Sequence, residues 1–285
     1  MKAYPDCIAC MFKQALNTAR LVTEDPNVHV RVLKTLAARV AETTLDQTPA
    51  ALSQPAYEVI TEVTGVRDPY AALKRESNAA TLGILPDLEE EIEKAADPLD
   101  AALHAAVAGN IIDLGIGHEF DIERDVLEMM SQPFAISALD DFRNELRPGR
   151  RLLYLGDNAG EIVLDRLLID RLTALGLAVT VTVKSGPIIN DATMVDAREA
   201  GLFERVEVIE TGSADIGVNW ERVSDAFRTA FTQADLIISK GHGNFETCNE
   251  RPENIYFLLK AKCPMVASEL GCRLWDIVFT RMPSG

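Results

Sequence analysis

Asp157 and Asn158 stand side by side in YLGDNAGEIVLD (residues 154–165), directly after a short apolar run that stops at Gly156. Asp191 closes a second such stretch, VKSGPIINDAT (183–193). Two carboxylates and one amide are hard oxygen donors, with no sulfur or imidazole among them. Such a set suits Mg²⁺ or Mn²⁺ and also accepts Co²⁺ or Ni²⁺. It fills part of an octahedron and leaves positions for water and a phosphate oxygen. The predicted chemistry is metal-assisted hydrolysis of a phosphate ester, with an activated water attacking phosphorus. A dianionic phosphate also needs a positive group, and Lys240 in SKGHGNFE (239–246) is the expected source. Glycines 156, 160, 241 and 243 would let backbone N–H groups approach an oxyanion. Gly160, Glu161, Lys184, Asn190 and Gly241 complete the expected substrate contacts in these loops.

Each residue also has an ordinary role. Asp and Asn dominate turns and helix caps, and Asp191 could simply cap the helix that opens DATMVDA. A lone lysine is usually a solvated one. The chemical reading therefore depends on these residues meeting in space. Further candidates lie upstream. Lys74 and Asn78 fall one helical turn apart in LKRESN, and Asn110 and Asp113 sit among apolar neighbours in AGNIIDLG. Buried polar groups must be hydrogen-bonded, so these either face the site or lock helices together. Cys7 and Cys10 form a C-x-x-C without a second pair; with Cys263 they are possible redox or metal thiols, or small apolar residues on a buried face. His242, inside the glycine loop, is the one histidine expected to reach the cluster.

The elements that must position these groups change in texture along the chain. Residues 1–147 read as helices. Asp25-Pro26, Asp68-Pro69 and Asp97-Pro98 each look like an N-cap followed by proline in the first turn. Ser137 is expected to open a further helix, and no strand is expected in this half. After RPGRR, β-rich runs at 151–156, 177–184, 206–210, 235–240 and 264–268 alternate with helical patterns near 161–175, 191–200, 220–232 and 252–261. That alternation predicts an α/β fold: a three-layer α/β/α core with a mostly parallel sheet at 148–285, carrying an N-terminal helical subdomain at 1–147 as the wall of the substrate site. Ligands of such sheets bind beyond the carboxyl ends of the strands, which is where Asp157, Asp191 and Lys240 fall.

Bulk properties exclude several classes. The 285 residues carry a net charge of −16, and no run of Lys and Arg offsets it, so nucleic acid is not an expected partner. No stretch approaches the roughly 18 apolar residues of a membrane span, and MKAYPDCIACMFK lacks the apolar core of a signal peptide. The expectation is a cytoplasmic protein whose five cysteines stay reduced. Oligomeric state is not legible.

Taken in order, PDCIACMFKQAL, DPYAALKRESN, AAVAGNIIDLG, GDNAGEIVLD, VKSGPIINDAT, SKGHGNFE and LLKAKCPMVASELG resemble the DUF89 family of damage-control phosphatases, in its C-x-x-C-containing prokaryotic subfamily I. The resemblance spans nearly the whole chain. It implies a metal-dependent phosphatase acting on sugar phosphates and other damaged or excess phosphometabolites. It implies Asp157, Asn158 and Asp191 as metal ligands, Lys240 as a phosphate contact, and Mn²⁺, Co²⁺, Ni²⁺ or Mg²⁺ as the cofactor. Three rivals stand beside it. A nucleotide- or S-adenosylmethionine-dependent enzyme on a Rossmann-like sheet would need G-x-G-x-x-G after the first strand, where GDNAGE stands. A phosphatase with Asp157 as covalent nucleophile would also put an acid there. A non-catalytic metal- or metabolite-binding protein is the third.

Overall fold

The computed structural model describes residues 1–109 and 122–282. Five helices come first: α1 (Pro5–Val22), α2 (Pro26–Val40), α3 (Pro49–Thr64), α4 (Ala71–Lys94) and α5 (Pro98–Ala108). Four of them begin with proline, whose missing N–H costs nothing in a first turn. Asp25 and Asp97 act as the expected caps, accepting from Asn27 N and Asp100 N at 2.8 and 3.3 Å. Asp68 does not. The helix after it starts at Ala71, and Asp68 instead holds the preceding turn by accepting from Tyr70 N at 3.1 Å.

Then follow α6 (Ile122–Met130), β1 (Ile136–Ser137), α7 (Leu139–Glu145), β2 (Arg151–Leu155), α8 (Glu161–Ala174), β3 (Ala178–Val183), α9 (Met194–Glu199) and β4 (Glu207–Glu210). The chain ends through α10 (Asp225–Gln233), β5 (Leu236–Lys240), α11 (Gly241–Cys248), β6 (Ile255–Lys260), α12 (Pro264–Leu270) and β7 (Ile277–Arg281). The strands form one sheet in the order β1-β7-β6-β5-β2-β3-β4. All pairs are parallel except β6–β7. Alternate strand residues feed opposite cores. Leu152 and Tyr154 pack under α4, α5 and α8, whereas Leu153 and Leu155 pack on the side of α10, α11 and α12. The three-layer expectation is met.

The last part of the chain differs from its reading. Residues 252–261, expected as helix, contain β6, and 264–268, expected as strand, lie in α12. IYFLLK is buried from Ile255 to Leu259, and a continuous apolar run carries no period to separate strand from helix. PMVASEL begins with a proline that an inner strand would not accommodate but a first helical turn does, and Gly271 at φ +73° ends it. The antiparallel β7 was not anticipated.

The upstream half also contributes a strand. Ser137 ends β1, and the helix expected to open there, α7, starts two residues later, with Ser137 Oγ accepting from Leu139 N at 3.4 Å; β1 pairs with β7 through Ile136–Val278 and Ser137–Phe279. Residue 147 falls between α7 and β2, but the apolar core runs across it: Leu88, Leu103 and Phe142 share one cluster with Tyr154 and Phe279. Helices α1 to α3 keep a separate cluster around Met11, Leu36 and Val59.

Candidate active site

β2 is the first strand of the parallel set. β3 lies on one side of it and β5 on the other, so the order reverses between β2 and β5. A crevice opens at such a point, beyond the carboxyl ends of both strands. Asp157 and Asn158 follow β2; Lys240 and Gly241 stand at the end of β5.

Asp191 arrives from the loop after β3. Asn158 and Asp191 form an isolated antiparallel bridge. Asp157 O accepts from Ala192 N at 2.7 Å, and Asn190 O accepts from Ala159 N at 2.8 Å. Ile189 is held at φ +46°, uncommon for a β-branched residue, as the loop turns into this bridge. The three expected oxygen donors are therefore gathered by backbone pairing, whatever else the side chains do.

Their electrostatics are unfavourable without a cation. Burial raises the Asp157 carboxyl well above its ordinary value, and Glu161 and Asp191 raise it further. Burial likewise lifts Asp191 to about 6, against the opposing pull of Lys184 and Lys74. Asn158 donates its Nδ2 to Asp157 Oδ2 at 2.8 Å and to Glu161 Oε2 at 3.2 Å, which leaves Oδ1 as the end suited to a cation. Two buried acids and an amide oxygen fit a hard divalent ion, whose charge would remove the penalty on both carboxylates. Among the described residues no group of three or more His, Cys, Asp or Glu is arranged to hold a metal, so the candidate set relies on the amide.

The surrounding residues fall into place less evenly. Lys184 is buried, donates to Gly217 O and lies 3.6 Å from Asp191 Oδ2, so it supports that carboxylate. Asn78 is buried and joins three elements: its Oδ1 accepts from Gly160 N at 2.6 Å, and its Nδ2 donates to Asp196 and Glu199 at 3.0 and 2.6 Å. Lys74 Nζ lies 3.3 Å from Asp68 and 3.7 Å from Asp196. Gly241, at φ +75°, packs so closely on Asp157 that a Cβ would overlap the carboxylate. His242 Nε2 accepts from Lys262 N at 3.0 Å, which fixes the ring against the loop after β6. Asn110 and Asp113 lie outside the described residues.

Lys240 departs most from expectation. Its side chain is 0% exposed, and Nζ donates to Glu161 Oε1 at 2.5 Å, Asp165 Oδ1 at 2.6 Å and Ala106 O at 2.9 Å. Burial alone would lower this ammonium's pKa, but Asp165 and Glu161 outweigh it and hold the group charged. All three donors are committed within the protein, so the arrangement offers none to a phosphate. Asp165 and Tyr154, joined at 2.7 Å, were not singled out in the sequence. A signal existed: Glu161 and Asp165 are four apart on a helix whose neighbours Ile162, Leu164 and Leu168 are all buried.

The two α1 thiols sit where burial disfavours the thiolate. Cys7 and Cys10 lie one turn apart on α1, and Cys263 precedes α12. Burial raises both of the α1 thiols, and the nearby Glu246 and Cys263 add to it. Neither has the thiolate character of a reactive cysteine.

Residues 3–278 match the Damage-control phosphatase ARMT1-like domain family. The chain belongs to that family. It is 34% identical to a damage-control phosphatase of Pyrococcus horikoshii, over 95% of this chain and 94% of that protein. It is 33% identical to a damage-control phosphatase of Archaeoglobus fulgidus, over 98% of each. The crystal structure of a DUF89 family protein from P. horikoshii superposes with a TM-score of 0.89 at 33% identity, covering 99% of this chain and all of that one. No described helix is long and apolar enough to cross a membrane.

Proposed function

We propose that the protein is a metal-dependent phosphatase that hydrolyses phosphate esters of small phosphometabolites, with Asp157, Asn158 and Asp191 holding the cation. The single observation that carries this is the Asn158–Asp191 bridge, which brings oxygen donors from two loops to the reversal point of the sheet. Asp157, Asn158 and Asp191 would hold a divalent ion there, which would supply Lewis acidity toward a phosphate oxygen and a water of lowered pKa. The chain's own residues do the remaining work. Lys184 keeps Asp191 anionic, and Lys240 places positive charge beneath Asp157 without touching substrate. Gly241 brings the start of α11 against the Asp157 carboxylate, next to where a phosphate would sit.

The organic part of the substrate has a candidate wall. A cleft of about 120 Å³ opens between α1, α3 and the residues just before Asn190, lined by Tyr57, Tyr70, Arg67, Gln54 and Ile189 among others. Its polar lining, which also includes Glu58 and Asp68, suits a polar metabolite such as a sugar phosphate, with Gln54 and Tyr70 held in place by Ile216 N and Thr18.

The test is phosphate release from p-nitrophenyl phosphate and a phosphometabolite panel by chelator-treated protein, with Mn²⁺, Co²⁺, Ni²⁺ and Mg²⁺ added singly. Release with at least one ion, abolished by Asp191→Ala, supports the reading. No release with any ion leaves a binding protein in its place.

A further inference from the structure

We infer that Glu161 is a positioning residue: clamped by the buried Lys240 ammonium, it fixes the Asn158 amide with its oxygen turned toward the cation position. The inference rests on the metal reading of the Asp157–Asn158–Asp191 site.

An asparagine has two ends, and only the oxygen ligates a cation. Asn158 Nδ2 lies between two carboxylate oxygens, Asp157 Oδ2 at 2.8 Å and Glu161 Oε2 at 3.2 Å. Ionised carboxylates only accept, so the donor end must face them. Asp157 belongs to the ligand set itself. Glu161 is the reference from outside it.

Glu161 is in turn immobile. It is 0% exposed in the first turn of α8, and Gly109 at the end of α5 lies so close that a Cβ there would press on its Cα. Its Oε1 accepts from Lys240, whose other donors go to Asp165 and Ala106 O. A hydrogen-bonded chain thus runs from Tyr154 through Asp165, Lys240 and Glu161 to Asn158 and Asp157. Charge pairing does not account for this second acid. Asp165 alone would neutralise Lys240, and another buried carboxylate adds desolvation cost. What Glu161 adds is the acceptor for Asn158.

Glu161→Gln tests this with little change of shape. Its amide oxygen stays on Lys240, which only donates, so its NH₂ faces the NH₂ of Asn158. Asn158 is then driven to turn its oxygen away from the cation, against its bond to Asp157 at 2.8 Å. The expected result, in metal-free protein titrated with Co²⁺ and followed by visible absorption, is affinity lower by about 10- to 100-fold. Asp165→Asn removes the same charge from the same cluster without touching Asn158, and its loss is expected to be far smaller. Asn158→Asp in the Glu161→Gln background restores the donor–acceptor match with residue 161 at unchanged net charge, at the cost of the bond to Asp157, and brings Co²⁺ binding back toward wild type. Equal losses for Glu161→Gln and Asp165→Asn overturn the inference, as does a double variant that binds no better than Glu161→Gln. Should Glu161→Gln fail to fold, the double variant carries the test: near-wild-type binding supports the positioning role and absent binding overturns it. A wild-type protein that takes up no Co²⁺ fails earlier, at the metal reading itself, and removes the inference with it.

Discussion

Asn158 and Asp191 face each other across one antiparallel bridge, although 33 positions separate them in the chain (191 − 158). The bridge is closed by backbone hydrogen bonds at 2.7 and 2.8 Å on either side of it. The meeting of these two loops is therefore built into the main chain, and the cost of bringing Asn158 and Asp191 together falls on folding.

Because the acids are buried and mutually repulsive, removing one acts differently on catalysis and stability. Asp157→Ala and Asp191→Ala are each expected to lower metal-dependent phosphate release by about 10³-fold or more, the scale of losing a group that stabilises charge in the transition state. Metal-free Asp157→Ala should melt no lower than metal-free wild type, whereas Asp191→Ala also leaves the buried Lys184 ammonium without its counter-ion and should melt lower. Phosphate assays with thermal melts in chelator check both parts.

Lys240→Met separates a buried clamp from a substrate contact. It leaves Glu161 and Asp165 facing each other without a counter-ion, so a loss of about 3–5 kcal/mol is expected in urea unfolding. A lysine that served only to touch phosphate would raise KM and leave unfolding unchanged.

At Gly241 the limit is space. Gly241→Ala places a methyl group in the Asp157 carboxylate at a positive φ. A stability loss of about 1–3 kcal/mol, with near-complete loss of activity, is the expected outcome. Gly149 also has a positive φ, of +82°, but nothing within 4 Å of its missing Cβ, and it serves as the control. Gly149→Ala should cost stability only.

The pH dependence of stability has a predictable sign at Glu246. Burial lifts its carboxyl to about 7, partly opposed by the N-terminal amine and a hydrogen bond from Ala50 at the start of α3. A carboxyl whose pKa is raised on folding binds its proton more tightly in the folded state. Its stabilising contribution is complete below the unfolded value near 4.5 and is lost as pH rises through about 7. Glu246→Gln should therefore gain on wild type as pH increases from about 5 to 8, read as a growing difference in Tm.

Much of this architecture was legible because its signals are local. Proline after Asp25 and Asp97 marks helix starts through a missing N–H, and short β-rich runs between amphipathic stretches mark a parallel sheet. Sheet topology then places Asp157, Asp191 and Lys240 at one edge without any further information. Two things were not legible. IYFLLK and PMVAS were exchanged in type, because a fully buried strand has no polar face to reveal its period, and the weight of Pro264 was missed. The direction of Lys240 was also hidden. Position in a strand fixes which edge a residue occupies, but whether its ammonium points to solvent or to Glu161 and Asp165 depends on α8 packing above it.

The pairing of β1 with β7 joins residues 136 and 278, so this sheet edge waits for a segment far downstream. Synthesis cannot finish this core piecemeal: the upstream strand has no mate until β7 emerges from the ribosome. A fragment starting at 148 would lack Phe142 and Leu103, baring Tyr256 and Phe279 that normally pack with them. Expression of such a fragment alone should give aggregates.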